Sequence, residues 1–317
     1  IQSATDLAEQ GFDVTLVEKT DALGGRLRAP NLRVLYPTMR PASEVLGEKI
    51  ARLEAGTARV LTGCRVGAIE GFVGSFEARI EGEHTETFKC GAIILATGAD
   101  LYRPKEGEFG FSTMDNVITS ERLEVLFCGD GDLGRGTGKP TSAAFILCVG
   151  SRDPGCFPGC SRYCCPTAIK QAIELRERGV EASIFYRDIR TVSSGSEEMY
   201  RRARGMGVLF IRIPPGTVPE VVGNGRAEAV RCHDDLLGRR LEVPADLVVL
   251  SVGMRARQPE TAHFHDELKV SLGLDGFFLE RHPELAPVET AVEGVLLAGT
   301  LQGPKDIVDT VAQASAA

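Results

Sequence analysis

The alternation of apolar and polar positions opens on a helical pattern over 1–10, with Ala4, Leu7 and Ala8 on one face. Gly11 ends it, and a short buried strand over 14–17 follows, closed by Glu18. The pattern predicts an amphipathic helix over 43–55, with Ser43 as N-cap and Val45, Leu46, Ile50 and Leu53 on its apolar side. Short strands come next, over 58–62, 65–70, 74–80 and 86–90, and then a strongly apolar one over 92–95 that runs into Ala96-Thr97-Gly98. From about Thr119 the texture changes. Strand 145–149, helix 167–178, strand 182–186, helix 196–206 and strand 208–213 alternate in the way that builds a parallel sheet. A meander over 217–232 and a strand over 247–252 complete this second unit. The last stretch reads as strand 294–297, Gly299 and helix 304–317. A chain that starts and stops inside helical patterns, without an initiator Met, is expected to be a piece of a longer protein.

Composition narrows the class. With 317 residues, 43% hydrophobic and 25% charged, the chain can bury a real core in about two domains. The formal charge of −8, from 36 basic and 44 acidic residues, argues against nucleic acid or an anionic membrane surface as partner. No apolar run approaches the ~18–20 residues that span a bilayer; the longest, over 143–149 and 247–252, suit buried strands. No secretory signal is present in the chain, and a cytoplasmic location is expected. Cysteine changes the picture most. Of nine, Cys148, Cys156, Cys160, Cys164 and Cys165 crowd together, while Cys64, Cys90, Cys128 and Cys232 are scattered. Such crowding inside a core-rich chain points to a metal or redox site and away from a disulfide scaffold.

Four short signals, in order, point to FAD. Glu18 ends a strand, where a dinucleotide-binding unit places an acidic residue for the ribose hydroxyls. Lys19 and then Leu23-Gly24-Gly25-Arg26 follow, a paired glycine that lets backbone approach phosphate with an arginine at hand. Ala96-Thr97-Gly98 closes a buried strand. Leu297-Ala298-Gly299-Thr300, followed by Asp306-Ile307, offers a strand end and a helix start to the ribityl chain. The glycine-rich fingerprint that should precede Glu18 would fall before residue 1. By contrast, Gly129-Asp130-Gly131-Asp132-Leu133-Gly134 matches GxGxxG but opens no helical sequence and carries two aspartates. It is read as a solvent loop.

Cys148 ends a strand, and Cys160-Ser161-Arg162-Tyr163-Cys164-Cys165-Pro166 opens the next helix. A strand tip, a flexible loop and a helix N-terminus can converge several thiolates on an iron–sulfur cluster, whose negative charge the helix end and Arg162 would offset. Tetrahedral zinc, a redox disulfide and plain packing cysteines are the competing readings; adjacent cysteines make poor tetrahedral partners, and there is no CxxC dithiol. The five histidines are scattered and unassigned, and Arg187 and Arg190 are read as solvated.

These residues resemble a known family. The segment 145–153, the Cys160…Cys164-Cys165 motif, Leu250-Ser251-Val252-Gly253-Met254, Gln302-Gly303-Pro304-Lys305-Asp306-Ile307 and the tail 311–316 together look like the A subunit of heterodisulfide reductase and its relatives. The resemblance implies an α/β fold of two dinucleotide-binding (Rossmann-like) domains, of the thioredoxin-reductase, FAD/NAD(P)-binding type. An FAD domain is expected over 1–118 plus 255–317, with an NAD(P)-binding-like domain inserted over 119–254. The resemblance also implies a [4Fe–4S] cluster on Cys148, Cys160, Cys164 and Cys165, with Cys156 outside the pattern. The flavin set expected is Glu18, Lys19, Gly24, Gly25, Arg26, Val66, Thr97, Gly98, Gly299, Thr300, Lys305, Asp306 and Ile307. Lys305 is the candidate catalytic group, tuning the flavin together with Asp306. Implied partners are B- and C-type subunits and ferredoxin, hydrogenase or dehydrogenase donors, with flavin-based electron bifurcation in some members and a homodimer as a further form. Strand 145–149 enters a cysteine loop where pyridine-nucleotide enzymes carry a glycine-rich turn, so electrons are expected through metal clusters. The rival readings are an NAD(P)H-dependent flavin oxidoreductase and a zinc-stabilised docking protein.

Overall fold

The computed structural model describes residues 1–129, 133 and 139–317. The GxGxxG match therefore lies outside the described residues, except for Gly129 and Leu133. The chain divides into two compact units, one formed by Ile1–Leu27, Ser43–Asp100 and Arg255–Ala317, the other by Arg28–Ala42 and Leu101–Met254. Residues 28–42 and 101–118, placed with the first domain on sequence, pack with the second unit.

In the first unit, helix Gln2–Glu9 leads to strand Thr15–Val17, which runs parallel to Arg59–Leu61. Helix Ala42–Glu54 begins one residue before Ser43, so Ser43 lies within its first turn and is not the cap expected. An antiparallel sheet of Cys64–Glu70, Phe76–Gly82 and Glu86–Cys90 follows. Ile93–Leu95 then pairs in parallel with Val295–Leu297 from the far end of the chain. Helix Gln258–Leu268, with a proline in its first turn, and helix Ile307–Ala316 complete the unit.

The second unit is built on a five-stranded parallel sheet in the order Val117–Thr119, Leu247–Val252, Ser142–Val149, Glu181–Tyr186, Leu209–Arg212. Its central strands read as near-continuous apolar runs because both faces are covered. Ala143, Phe145 and Leu147 point into a core shared with helices Ser120–Cys128, Cys164–Glu177 and Ser196–Gly205. The alternate residues Ala144 and Ile146 point into a second core on the side of the meander Glu220–Gly223, Ala227–Asp234, Arg239–Pro244. No described helix is long and apolar enough to cross a membrane.

Candidate functional site

The cysteine site grows out of the central strand. Ser142–Val149 pairs with Leu247–Val252 in regular register as far as Ile146, and the register shifts before Val149. The irregularity takes in Leu147 and Cys148, and a bulge of this kind re-aims the side chains it contains. Cys148 has a left-handed backbone, with φ 64°, and Arg152 and Arg162 have φ 55° and 59°. Seven non-glycine residues have positive φ among the described residues, and three of them fall within this loop. Strain of that kind persists where surrounding contacts over-determine it. Here they include Arg152 N–H to Gly159 O at 2.9 Å, Cys156 N–H to Asp153 O at 3.0 Å, and buried Phe157. Cys160 Sγ then accepts from Arg162 N–H at 3.3 Å, and the helix Cys164–Glu177 places Cys164 and Cys165 in its first turn.

Cys148, Cys160, Cys164 and Cys165 lie within electrostatic reach of one another, each negative charge opposing the next. Burial pushes the Cys148 thiol up, and Cys160 adds to the rise while Arg152 and Arg187 oppose it. Burial pushes Cys164 well up, with Cys148, Cys165 and Cys160 adding, and takes Cys165 to about 12. Cys164 Sγ donates to Val252 O at 3.6 Å and Cys165 Sγ to Asp188 O at 3.9 Å. Cys156 keeps other company: it interacts with the Tyr102 hydroxyl, which donates to Glu108 at 2.8 Å.

Arg187 and Arg190 are not merely solvated. Arg187 Nη1 donates to Arg152 O at 2.9 Å, and Arg190 Nε meets Asp188 Oδ2 at 3.0 Å while facing Cys160. Asp188 also pairs with Arg152. The quartet is thus rimmed by three arginines, a feature that the sequence signals only as basic residues after a strand.

Among the described residues, no three His, Cys, Asp or Glu side chains are drawn to metal-binding geometry. The four sulfurs are neighbours but not closed on an ion. Their chemistry nevertheless fits an iron–sulfur cluster. Soft thiolates are its usual ligands. Burial makes Cys148, Cys164 and Cys165 resist ionisation, so a positive core beside them is needed to hold them as thiolates, and the arginines offset part of the charge.

The second constellation lies in the first unit. Glu18 follows strand Thr15–Val17, its N–H bonded to Leu61 O at 2.8 Å and its Oε1 accepting from Thr20 N–H and Oγ1–H, each at 2.8 Å. Lys19 pairs with Glu260. Gly24 and Gly25 have φ 115° and 50°, Arg26 is exposed beside them, and nothing stands within 4 Å of where a Gly25 Cβ would be. Thr97 Oγ1 is buried without a hydrogen-bond partner, an orphan that a ligand polar group would satisfy. Gly98 has φ 78°, and a Cβ there would lie 3.7 Å from Thr300 Oγ1. Gly299, φ 88°, donates to Gln313 Oε1 at 2.8 Å. Lys305 Nζ donates to Gly299 O at 3.0 Å, Gln302 Oε1 at 3.2 Å and Gly303 O at 3.3 Å, so its ammonium organises this loop. Asp306 caps helix Ile307–Ala316 by accepting from Asp309 N–H at 2.9 Å. Val66 lies in the antiparallel sheet, its carbonyl bonded by His263 Nε2 at 3.0 Å. The open glycine turn, the orphan hydroxyl and the two held loops fit a dinucleotide.

Sequence reasoning missed Arg257. Its guanidinium donates to Thr97 O at 2.9 Å, Ala99 O at 3.2 Å and Asp100 Oδ1 at 2.9 Å, clamping the segment that carries Thr97 and Gly98. Its one signal is its place just after the strand that ends at Val252.

No family profile matches the chain. Over its whole length the chain is similar to an iron-sulfur A subunit of the CoB–CoM heterodisulfide reductase of Methanopyrus kandleri, at 34% identity over 408 aligned positions. It is equally similar to the corresponding iron-sulfur A subunit of Methanocaldococcus jannaschii, at 34% over 406. It spans 61% of each. Over 72% of its length it is 39% identical to the A subunit of the ferredoxin:CoB–CoM heterodisulfide reductase of Methanosarcina mazei, covering 30% of that protein. Among solved structures it resembles thioredoxin reductase of Lactococcus lactis (TM-score 0.63, 19% identity, 100% of this chain and 92% of that one). Thioredoxin reductase of T. acidophilum is also similar (TM-score 0.60, 18% identity, 99% and 90%). At such identities the likeness concerns the fold, which is the α/β architecture of two dinucleotide-binding domains expected from sequence.

Proposed function

From the premise that the chain belongs to the family of heterodisulfide reductase A subunits, of which it spans about 61%, we propose that it is an electron-transfer oxidoreductase carrying FAD and one [4Fe–4S] cluster. The cluster's ligands are Cys148, Cys160, Cys164 and Cys165. The flavin is held by Glu18 at the ribose, by Gly24, Gly25 and Arg26 at the phosphates, and by Thr97, Gly98, Gly299, Thr300 and the start of helix Ile307–Ala316 along the rest. When bound, the flavin supplies two-electron chemistry and the cluster one-electron chemistry, so that pairs and single electrons can be exchanged. The protein's residues do the rest. Arg152, Arg187 and Arg190 lower the electrostatic cost of four thiolates, and the strained Cys148 stands with Cys160 of the loop and with Cys164 and Cys165 at the start of the following helix. Glu18, pre-bonded by Thr20, waits as an acceptor for hydroxyls. Lys305 holds the carbonyls of 299–303 in the shape that receives the ligand. The relatives are named as subunits, and we assign this chain the same place in a heterodisulfide reductase-like assembly with further cluster-bearing subunits.

The observation that carries this reading is the gathering of four cysteines from a strand end and the next helix start. Anaerobic purification, followed by iron, sulfide and flavin analysis and by EPR of the reduced protein, tests it. About four irons and four sulfides per chain, with one FAD, are expected from the proposed composition. A zinc-loaded colourless protein would end the proposal. Rapid reduction of the bound flavin by NADH alone would transfer the function to a pyridine-nucleotide reductase.

A further inference from the structure

Gly299 is held by both of its main-chain groups. Its N–H donates to Gln313 Oε1 at 2.8 Å, and its carbonyl accepts from Lys305 Nζ at 3.0 Å. The two side chains that hold it meet on a third. Lys305 Nζ donates to Gln302 Oε1 at 3.2 Å, and Gln313 Nε2 donates to the same oxygen. On its other side the Gln302 amide donates from Nε2 to Glu280 Oε2 at 2.9 Å and to Pro287 O at 3.0 Å. All of these residues belong to the first unit.

A primary amide offers two N–H donors and an oxygen with two lone pairs, and in Gln302 all four places are filled. The partners also decide which way the amide lies. Turned about, it would set its NH2 against the Lys305 ammonium and its oxygen against the Glu280 carboxylate. Gln313 is fixed in the same way, because Gly299 N–H takes its oxygen and leaves its Nε2 to face Gln302. A directed chain of hydrogen bonds therefore runs from Gly299 through Gln313 and Gln302 to the Glu280 carboxylate, and Lys305 joins it at Gln302.

The loop needs such support. Between strand Val295–Leu297 and helix Ile307–Ala316 the backbone of 298–306 forms neither helix nor strand, and Gly299 is left-handed with φ 88°. Side chains must hold what no ladder holds. Lys305 grips it at Gly299 O and Gly303 O, Gln313 at Gly299 N–H, and Gln302 ties both of these side chains to the neighbouring segment through Glu280 and Pro287.

We infer that Gln302 is a positioning residue of the flavin site, whose amide acts through Lys305 and Gln313 to fix the backbone at Gly299 and Thr300 in the shape that receives the cofactor. The inference rests on the flavin reading given above and goes beyond it, because Gln302 and Glu280 stand outside the set assigned to the cofactor. A loop already held in its bound shape is not ordered at the expense of binding, so loss of the amide appears as weaker uptake of FAD.

The test uses the full chain, with FAD affinity read by flavin-fluorescence titration and the fold checked by circular dichroism. Gln302→Met is of similar size and has no amide. It should bind FAD roughly three- to tenfold more weakly, the factor that one typical hydrogen bond is worth. In a Lys305→Met chain the same substitution should cost less than in the parent, because a group it acts through is already gone. Gln302→Glu turns a carboxylate on Glu280 and should also weaken binding. Adding Glu280→Gln returns a donor to that contact, and the swapped pair should recover most of the loss. Undiminished affinity in Gln302→Met or Gln302→Glu, equal losses with and without Lys305, or no recovery in the swapped pair would each overturn the inference. Should Gln302→Met fail to fold, Gln302→Glu and the swapped pair decide it, recovery supporting the inference and its absence overturning it. A parent chain that takes up no FAD sinks the flavin reading itself, a result distinct from all of these.

Discussion

Gly150 stands where two demands meet. Its φ of 73° is left-handed, and a Cβ there would fall 2.2 Å from Cγ of the Tyr102 ring, which is anchored through its hydroxyl to Glu108 at 2.8 Å. Gly150→Ala must pay the left-handed strain and also displace the ring, so a loss of about 2–4 kcal/mol is expected, together with weaker iron retention two residues from Cys148. Tyr102→Ala in the same chain should relieve the ring clash while leaving the strain. A double-mutant cycle by urea denaturation should therefore give a coupling of about 1 kcal/mol or more in the stabilising direction. Strict additivity would show that the ring is not the obstacle. At this scale the cysteines were legible, because thiols are rare and their crowding is chemical information in itself. The left-handed Cys148, the Tyr102 wedge and the Arg257 clamp were not. Each depends on contact between residues far apart in the chain, and no local pattern encodes it.

The helix Cys164–Glu177 shows how far an element can depart from its pattern. Its residues 164–175 are all buried, including Lys170, Gln171 and Glu174. Lys170 pairs with Glu124 and donates to Val34 O at 3.2 Å, Gln171 Nε2 reaches Ser120 O at 2.8 Å and Glu124 Oε1 at 2.7 Å, and Arg33 Nε meets Glu174 at 2.6 Å. The network ties this helix to Ser120–Cys128 and to the segment Arg28–Ala42, all within the second unit. Lys170→Met leaves two buried carboxylates short of a cation, and a loss of about 3–5 kcal/mol at neutral pH is expected. Burial holds the Glu174 carboxyl above its ordinary value, and Lys170 counteracts the rise. A carboxyl raised in the folded state favours folding below its unfolded value, and that contribution is lost as pH rises through the folded value. Without Lys170 the folded value climbs further, so the variant should regain part of its deficit between pH 7 and pH 5 in thermal melts. A deficit equal at both pH values would rule the buried carboxylates out as its cause. The sequence started this helix at 167, beyond Pro166. Proline is tolerated in a first turn, where its missing N–H has no intrahelical partner to lose, and the helix in fact begins three residues earlier. Helices Ser120–Cys128 and Gln258–Leu268 escaped notice because polar residues, Ser120 and Glu124 in one and Thr261 in the other, interrupt their buried faces and break the apolar stripe.

On the scale of the whole chain, the two candidate sites differ in how they are assembled. The quartet comes from one continuous stretch, 148–165, inside the second unit, whereas the flavin set is gathered from 18–26, 97–98 and 299–307 of the first. A continuous site can be read from spacing. A gathered one shows in sequence only as weak motifs in a telling order, and parallel pairing of Ile93–Leu95 with Val295–Leu297 is what joins two of its pieces. The same difference makes the assignment testable by crossed substitutions. Glu18→Ala removes a carboxylate whose bonds to ribose hydroxyls should contribute about 1.5–3 kcal/mol, so FAD affinity should fall roughly ten- to hundredfold in a flavin-fluorescence titration. Its iron content should stay at the parental level. Cys164→Ser should do the reverse, emptying the cluster site while FAD still titrates with the parental affinity. If Glu18→Ala lost its iron, or Cys164→Ser its flavin, while circular dichroism stayed native, the division of the two redox groups between the two sets of residues would be wrong. Each loss confined to its own set is the outcome that four sulfurs from one stretch of the second unit and a carboxylate from a strand end of the first require.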